Sequence, residues 1–172
     1  ADRATQLSAD RLVAPLAKAA SERHDGAWAV ESYLGDDAHK ARLTGLLTGG
    51  APPTLLFTAS HGVGFPRDDA RQAGHQGALL CQDWPGPLQH RGPIPPELYF
   101  SADDLPDDAC LRGMVAFHFA CYGAGTPRFD DYAHRAGARL EIAPHAFMAR
   151  LPERELSLAG GSALAVVGHV ER

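Results

Sequence analysis

Apolar and polar residues fall into short blocks along this chain, and the blocks predict an α/β protein. Two blocks stand out: Thr54-Leu55-Leu56-Phe57-Thr58-Ala59-Ser60-His61-Gly62 and Met114-Val115-Ala116-Phe117-His118-Phe119-Ala120-Cys121-Tyr122-Gly123. Each has the length and composition of a buried strand. Each ends abruptly in a reactive side chain, His61 in one and Cys121 in the other, with glycine close behind. The two residues lie 60 positions apart. Parallel neighbouring strands would bring both to one sheet edge, which is where open α/β sheets place their sites.

Around these runs the pattern switches to helical spacing. Leu7, Leu12, Val13, Leu16 and Ala19-Ala20 predict a helix within residues 5–22, with Ser8 or Asp10 as N-cap. Pro15 fits a first turn better than a helix middle, which starts that helix near Arg11. Ala27–Leu34 reads as a first strand closed by Gly35. Ala38, Ala41, Leu43, Leu46 and Leu47 predict a helix, capped by Asp36 or Asp37 and stopped by Gly49-Gly50. Ala78–Trp84 predicts a short strand. Residues 85–108 hold six of the 13 prolines and read as an irregular excursion within one domain. Ser101–Leu105 starts a helical turn. Phe129–Ala138 and Ala143–Leu151 predict helices, and Ser162–Val170 a last strand. The alternation predicts a single domain over 1–172, with a mainly parallel sheet covered by helices on both faces.

Composition narrows the function. A chain of 172 residues can bury a sizeable core. Its net charge is −5 and its lysines and arginines are scattered, so nucleic acid is not an expected partner. No apolar run approaches the roughly 20 residues of a membrane helix. The N-terminus reads as a polar amphipathic helix, not a signal peptide. Three cysteines form no disulfide spacing, which points to a reduced, cytoplasmic setting. Cys81 and Cys110 read as small core residues. His118 alternates to the strand face opposite Cys121 and reads as a core histidine. No paired Cys or His spacing suits zinc, and Gly62-Val63-Gly64 is too short for a dinucleotide loop. No metal or organic cofactor is expected. The chain has no obvious natural ends, so a piece of a longer protein is also compatible with it.

The chemistry open to His61 and Cys121 is nucleophilic. A cysteine attacks carbonyls as its thiolate, and a nearby histidine accepts the proton or stands beside the anion as imidazolium. The oxyanion that develops needs donors, and backbone N–H groups commonly supply them. The N–H groups of Gly62 and Cys121 are the candidates. Asp36 and Asp37, after the first predicted strand, are placed either to cap the next helix or to line a pocket for a cationic side chain.

The order apolar strand, His-Gly, apolar strand, Ala-Cys resembles the caspase–gingipain–separase clan of cysteine peptidases. Phe119-Ala120-Cys121-Tyr122-Gly123 keeps the Ala-Cys-x-Gly of caspases and lacks their preceding glutamine. The chain is more similar to bacterial CHAT domains, caspase-like modules often joined to tetratricopeptide repeats. Ala59-Ser60-His61-Gly62, Gln76–Asp83, Ala102-Asp103-Asp104-Leu105, Ala120–Pro127 and Gly161–Arg172 carry this similarity, which spans about residues 27 to 172. Tyr122-Gly123 departs from many relatives, which have threonine after the cysteine or serine before the glycine. The resemblance implies a caspase-like three-layer sandwich and cleavage of peptide bonds in a protein or peptide substrate. Cys121 would be the nucleophile and His61 the general base or thiolate partner. It also implies control by a partner protein or an attached repeat domain. Several relatives select arginine or lysine through an acid at the base of the first specificity pocket. Asp36, Asp37, Asp130, Asp131 and Glu171 are the candidates here, since a buried carboxylate pairs strongly with a guanidinium. Two other readings stay open: a non-catalytic caspase-like interaction module, and a different thiol hydrolase or acyltransferase on the same pair.

Overall fold

A computed structural model describes residues 2–23, 27–130 and 139–172. The chain begins with two α-helices, α1 (Arg3–Ser8) and α2 (Ala14–Arg23), joined by a π-helical stretch at Ala9–Val13. The N-cap is Asp2, not Ser8 or Asp10; its carboxylate accepts the N–H groups of Ala4 and Thr5. Pro15 therefore lies inside the helical run. A proline offers no N–H to the carbonyl four residues back and crowds it. The π stretch immediately ahead widens the ladder, with the Ala14 N–H reaching Ala9 O.

Ala27–Leu34 forms no strand. The run finds no sheet neighbour among the described residues, and Trp28 and Val30 stand exposed. The helix after it is α3 (Lys40–Thr48), and neither Asp36 nor Asp37 caps it. The cap bond comes from far along the chain, where Asp83 Oδ2 accepts the Lys40 N–H at 2.7 Å. Then follow β1 (Leu55–Ala59), α4 (Gln72–His75), β2 (Leu79–Leu80) and β3 (Tyr99–Phe100). Next come β4 (Val115–Phe119), β5 (Gly125–Thr126) and β6 (Phe129–Asp130). The chain closes with β7 (Leu140–Glu141), β8 (Phe147–Met148), α5 (Arg150–Ser157) and β9 (Ala165–Gly168).

Two predicted helices come out differently. Phe129 and Asp130 are strand, and the remainder of that prediction, 131–138, lies outside the described residues. Residues 143–149 are not helical, because Phe147-Met148 pairs with Gly125-Thr126. The helix starts only after that pairing ends, at Arg150, with Pro152 in its first turn, where a missing N–H costs nothing.

The central sheet is parallel, in the order β1-β4-β9. The pairs β2-β3, β5-β8 and β6-β7 are antiparallel. The architecture is thus mixed α/β. Strand alternation sends Leu56, Ala116 and Val166 to one face, where they join Leu47, Phe100, Leu111, Met114, Leu151 and Leu158 in the main core. Helices α3 and α5 supply part of that cover. His118 points the same way and is fully buried. Its Nε2 lies 3.0 Å from Glu155 on α5, equally buried, and its Nδ1 lies 3.0 Å from Thr58 Oγ1. The core reading of His118 holds. The opposite sheet face is less covered: Leu55 is 55% exposed, Val167 47% and Phe119 37%. On that face the Phe57 and Phe117 rings stack at 5.4 Å.

Candidate active site

Strand register decides where His61 and Cys121 go. Ala59 pairs with Phe119 at the end of β1 and β4, and Ser60 N–H still reaches Phe119 O at 3.2 Å. Two residues on, the chains remain in contact. A Cβ built on Gly62 would lie 1.7 Å from the carbonyl oxygen of Cys121 and 3.0 Å from its nitrogen. Glycine is needed there for space, since the Cys121 backbone occupies the position. The histidine and the cysteine are thereby brought to adjoining backbone at the C-terminal edge of the parallel sheet.

Just past this point the strands part. The segment after β1 pairs antiparallel with β2, through Leu80 N–H to His61 O and Val63 N–H to Ala78 O. The segment after β4 turns to the chain beyond β9, through Tyr122 N–H to Glu171 O and Ala124 N–H to His169 O. The N–H groups of Gly62 and Cys121 lie between these ladders, and neither donates a hydrogen bond among the described residues. Unengaged donors beside a thiol are what an oxyanion site requires.

Tyr122 has a φ of 58°, and it is the one residue other than glycine with positive φ among those described. Left-handed backbone at a bulky residue costs about 1–3 kcal/mol and survives only where its surroundings enforce it. Here the Glu171 carbonyl holds the Tyr122 N–H. Gly77 packs so close that a Cβ on it would lie 2.1 Å from Tyr122 O.

The Cys121 side chain is half-buried and that of His61 is 44% exposed. No hydrogen bond joins the two among the described residues. His61 Nε2 instead meets Asp2 Oδ2 at 2.6 Å. Partial burial resists the charge on Asp2, but hydrogen bonds from His61 and Thr5 and the nearby imidazole outweigh it and hold the carboxyl down at about 2. Trp84 presents its ring edge-on to His61 at 6.5 Å. A cleft of about 570 Å³ opens here, lined by His61, Gly62, Phe65, Leu80, Trp84 and Ile94 among others.

The acids expected in a specificity pocket separate. Asp130 is buried, its side chain 4% exposed, and its Oδ2 lies 2.5 Å from an Arg172 guanidinium nitrogen. Glu171 lends its backbone carbonyl to Tyr122. Burial pushes the Tyr122 hydroxyl up; Arg172 opposes this, and Asp130 and Glu171 add to it. Asp36 and Asp37 sit exposed on the turn Gly35–Asp37. Asp131 lies outside the described residues. Cys81 is buried, its thiol pushed up to about 12 by burial and by Asp83, as suits a core residue.

Two parts of this site escaped the sequence reading. Asp2 lies 59 positions from His61, and no spacing signals their meeting. Trp84 ended a predicted strand, and its place beside His61 depends on the antiparallel return of β2. Among the described residues, no cluster of three or more His, Cys, Asp or Glu could hold a metal ion, and no helix is long and apolar enough to cross a membrane. No protein-family model matches the chain, and neither curated proteins nor solved structures give a significant match.

Proposed function

We propose that this chain is a caspase-like cysteine endopeptidase of the CHAT type. The observation that supports the reading is the close approach of Gly62, the residue after His61, to the Cys121 backbone at a parallel sheet edge. In this reading the Cys121 thiolate attacks the peptide carbonyl, and the oxygen takes its charge between the Gly62 and Cys121 N–H groups. His61 gives its proton to the leaving amine, and water then hydrolyses the acyl-thioester. Loss of one oxyanion donor typically costs roughly 100- to 1000-fold in rate.

Asp130 is the acid best suited to select a basic residue before the cleaved bond. It is buried beside the Tyr122 turn and already holds a guanidinium, that of Arg172. Asp36 and Asp37, both exposed, suit that role less. A caspase-like sandwich, a reducing compartment and control by a partner protein or attached repeats belong to the same proposal.

One observation favours a non-catalytic interaction module instead: the imidazole is bonded to Asp2 and not to the thiol. Both readings meet one test. A peptide library varied at the residue before the scissile bond is offered to the full chain and to Cys121→Ala. A peptidase cuts after Arg or Lys and loses all turnover with Cys121→Ala, while Asp130→Asn loses the basic preference. Cleavage only after acidic or apolar residues overturns the preference. Absence of cleavage, with Cys121 also inert to an electrophilic peptide, supports the module.

A further inference from the structure

We infer that Asp2 is the positioning residue for His61, completing a Cys121–His61–Asp2 arrangement across three separate segments of the chain. The inference rests on the reading of His61 and Cys121 as a working pair.

The carboxylate is held before it meets the histidine. Oδ1 accepts the N–H groups of Ala4 and Thr5 at 2.8 and 3.2 Å. Oδ2 accepts the Thr5 hydroxyl at 3.1 Å and faces His61 Nε2 at 2.6 Å. An ionised carboxylate only accepts hydrogen bonds, so Nε2 must carry the proton. In the neutral ring that leaves Nδ1 with the free lone pair that can take the Cys121 proton. Asp2 therefore selects the tautomer that works as a base. It also places a negative charge beside the imidazolium that forms. Trp84 meets the ring at a right angle, Asp69 and Arg71 line the same cleft but are paired with each other, and the charges of the Asp130–Arg172 pair and of Glu171 act on Tyr122. A half-exposed imidazole without such a partner samples both tautomers and several ring orientations.

The arrangement explains why Asp2 both caps the helix and reaches outward. Helix α1 fixes the carboxylate through its own backbone, and the oxygen that makes no backbone hydrogen bond faces the imidazole. The charge and the cap can be separated by substitution, since asparagine caps helices about as well as aspartate. Serine also caps but is too short to reach His61.

The test uses the full chain. Alkylation of each cysteine by iodoacetamide is followed by peptide mass from pH 5 to 9, in wild type, Asp2→Asn, Asp2→Ser and His61→Ala. Far-UV circular dichroism checks that the helices persist. The expected result is a Cys121 rate near pH 6.5 about tenfold lower in Asp2→Asn and Asp2→Ser, as befits a lost opposite charge near the pair. The rate at pH 9 and the helix content stay unchanged, and Asp2→Asn adds nothing in a His61→Ala background. Nitrogen NMR of His61 should read the Nε2–H tautomer in wild type and a mixture in Asp2→Asn. If His61→Ala slows Cys121 but Asp2→Asn does not, positioning by Asp2 is overturned and the pair survives. If His61→Ala has no effect, the pair itself fails and the inference with it. A faster Cys121 in Asp2→Asn also overturns it, because the contact would then be a restraint.

Discussion

Replacing Gly62 with alanine tests the geometry of the site with a single methyl group. The new Cβ would lie 1.7 Å from Cys121 O, while real Cβ contacts essentially never fall below 3.0 Å. One of the two chains must retreat by roughly 1.3 Å, the difference between those distances. The strands cannot easily give, because five registered pairs tie β1 to β4. The retreat therefore falls on the short segments just past them, which carry Gly62 and Cys121. Overpacking of this kind costs about 1–3 kcal/mol. For a chain of this size each kcal/mol lowers Tm by about 2–4 °C, so a drop between about 2 and 12 °C is expected. The chemical effect should exceed the loss of stability. A misplacement of about 1 Å at reacting groups can cost about 100-fold in rate. Gly64→Ala is the control, since a Cβ there would meet only Tyr122 Cε2 at 3.7 Å, an ordinary contact in the same loop. Thermal melts and Cys121 alkylation rates of both variants are compared with wild type. If Gly62→Ala melts within a degree of wild type and alkylates at the wild-type rate, Gly62 does not press on Cys121 as described.

Two further outcomes follow from the core. Glu155→Ala leaves the fully buried Nε2 of His118 without its partner, with Thr58 still at Nδ1, and should cost about 1–3 kcal/mol in urea unfolding; Glu155→Gln keeps volume and one hydrogen bond and should cost less. Cys81 has a thiol raised to about 12 by burial, so folding favours its protonated form. Its contribution to stability is complete below its unfolded pKa near 8.5 and is lost as pH rises from there toward about 12. Urea midpoints measured across that window should fall in wild type more steeply than in Cys81→Ala.

The parts of the fold legible in the sequence are those set by local apolar runs. Leu55–Ala59 and Val115–Phe119 carry enough uninterrupted apolar surface to demand central places, and they took them as parallel neighbours. Helix α3 was legible for the same reason, with Leu43 and Leu47 spaced to meet the core. What failed was decided by partners distant in sequence. Ala27–Leu34 has strand composition but no strand to pair with among the described residues. Residues 143–149 have helical composition, yet Phe147-Met148 is captured by Gly125-Thr126. Asp36 and Asp37 stood ready to cap α3, but Asp83 arrived from beyond β2. At Pro15 the rule against proline in a helix held locally, and a π stretch absorbed the conflict.

The site follows a similar division, with a physical cause. Parallel pairing of β1 and β4 brings the backbones that follow them, at His61-Gly62 and Cys121, to one sheet edge, and that much could be read from two strand ends. The space between them could not, because it arises where the strands stop pairing. Beyond Ala59 the first chain leaves to join β2, and beyond Phe119 the second leaves to join the segment after β9. Each ladder satisfies the backbone on its own side, and the N–H groups of Gly62 and Cys121 remain at the fork. The fork stays narrow because glycine stands at two close backbone approaches, Gly62 against Cys121 and, just ahead of β2, Gly77 against Tyr122. It stays bent because Tyr122 is kept left-handed by the Glu171 carbonyl. The geometry at Cys121 thus depends on the segment after β9 as much as on its own strand. Cutting the Tyr122–Glu171 bond would let Tyr122 relax to ordinary backbone and carry the Cys121 N–H out of the fork. Loss of the donor geometry would then precede any loss of the sheet.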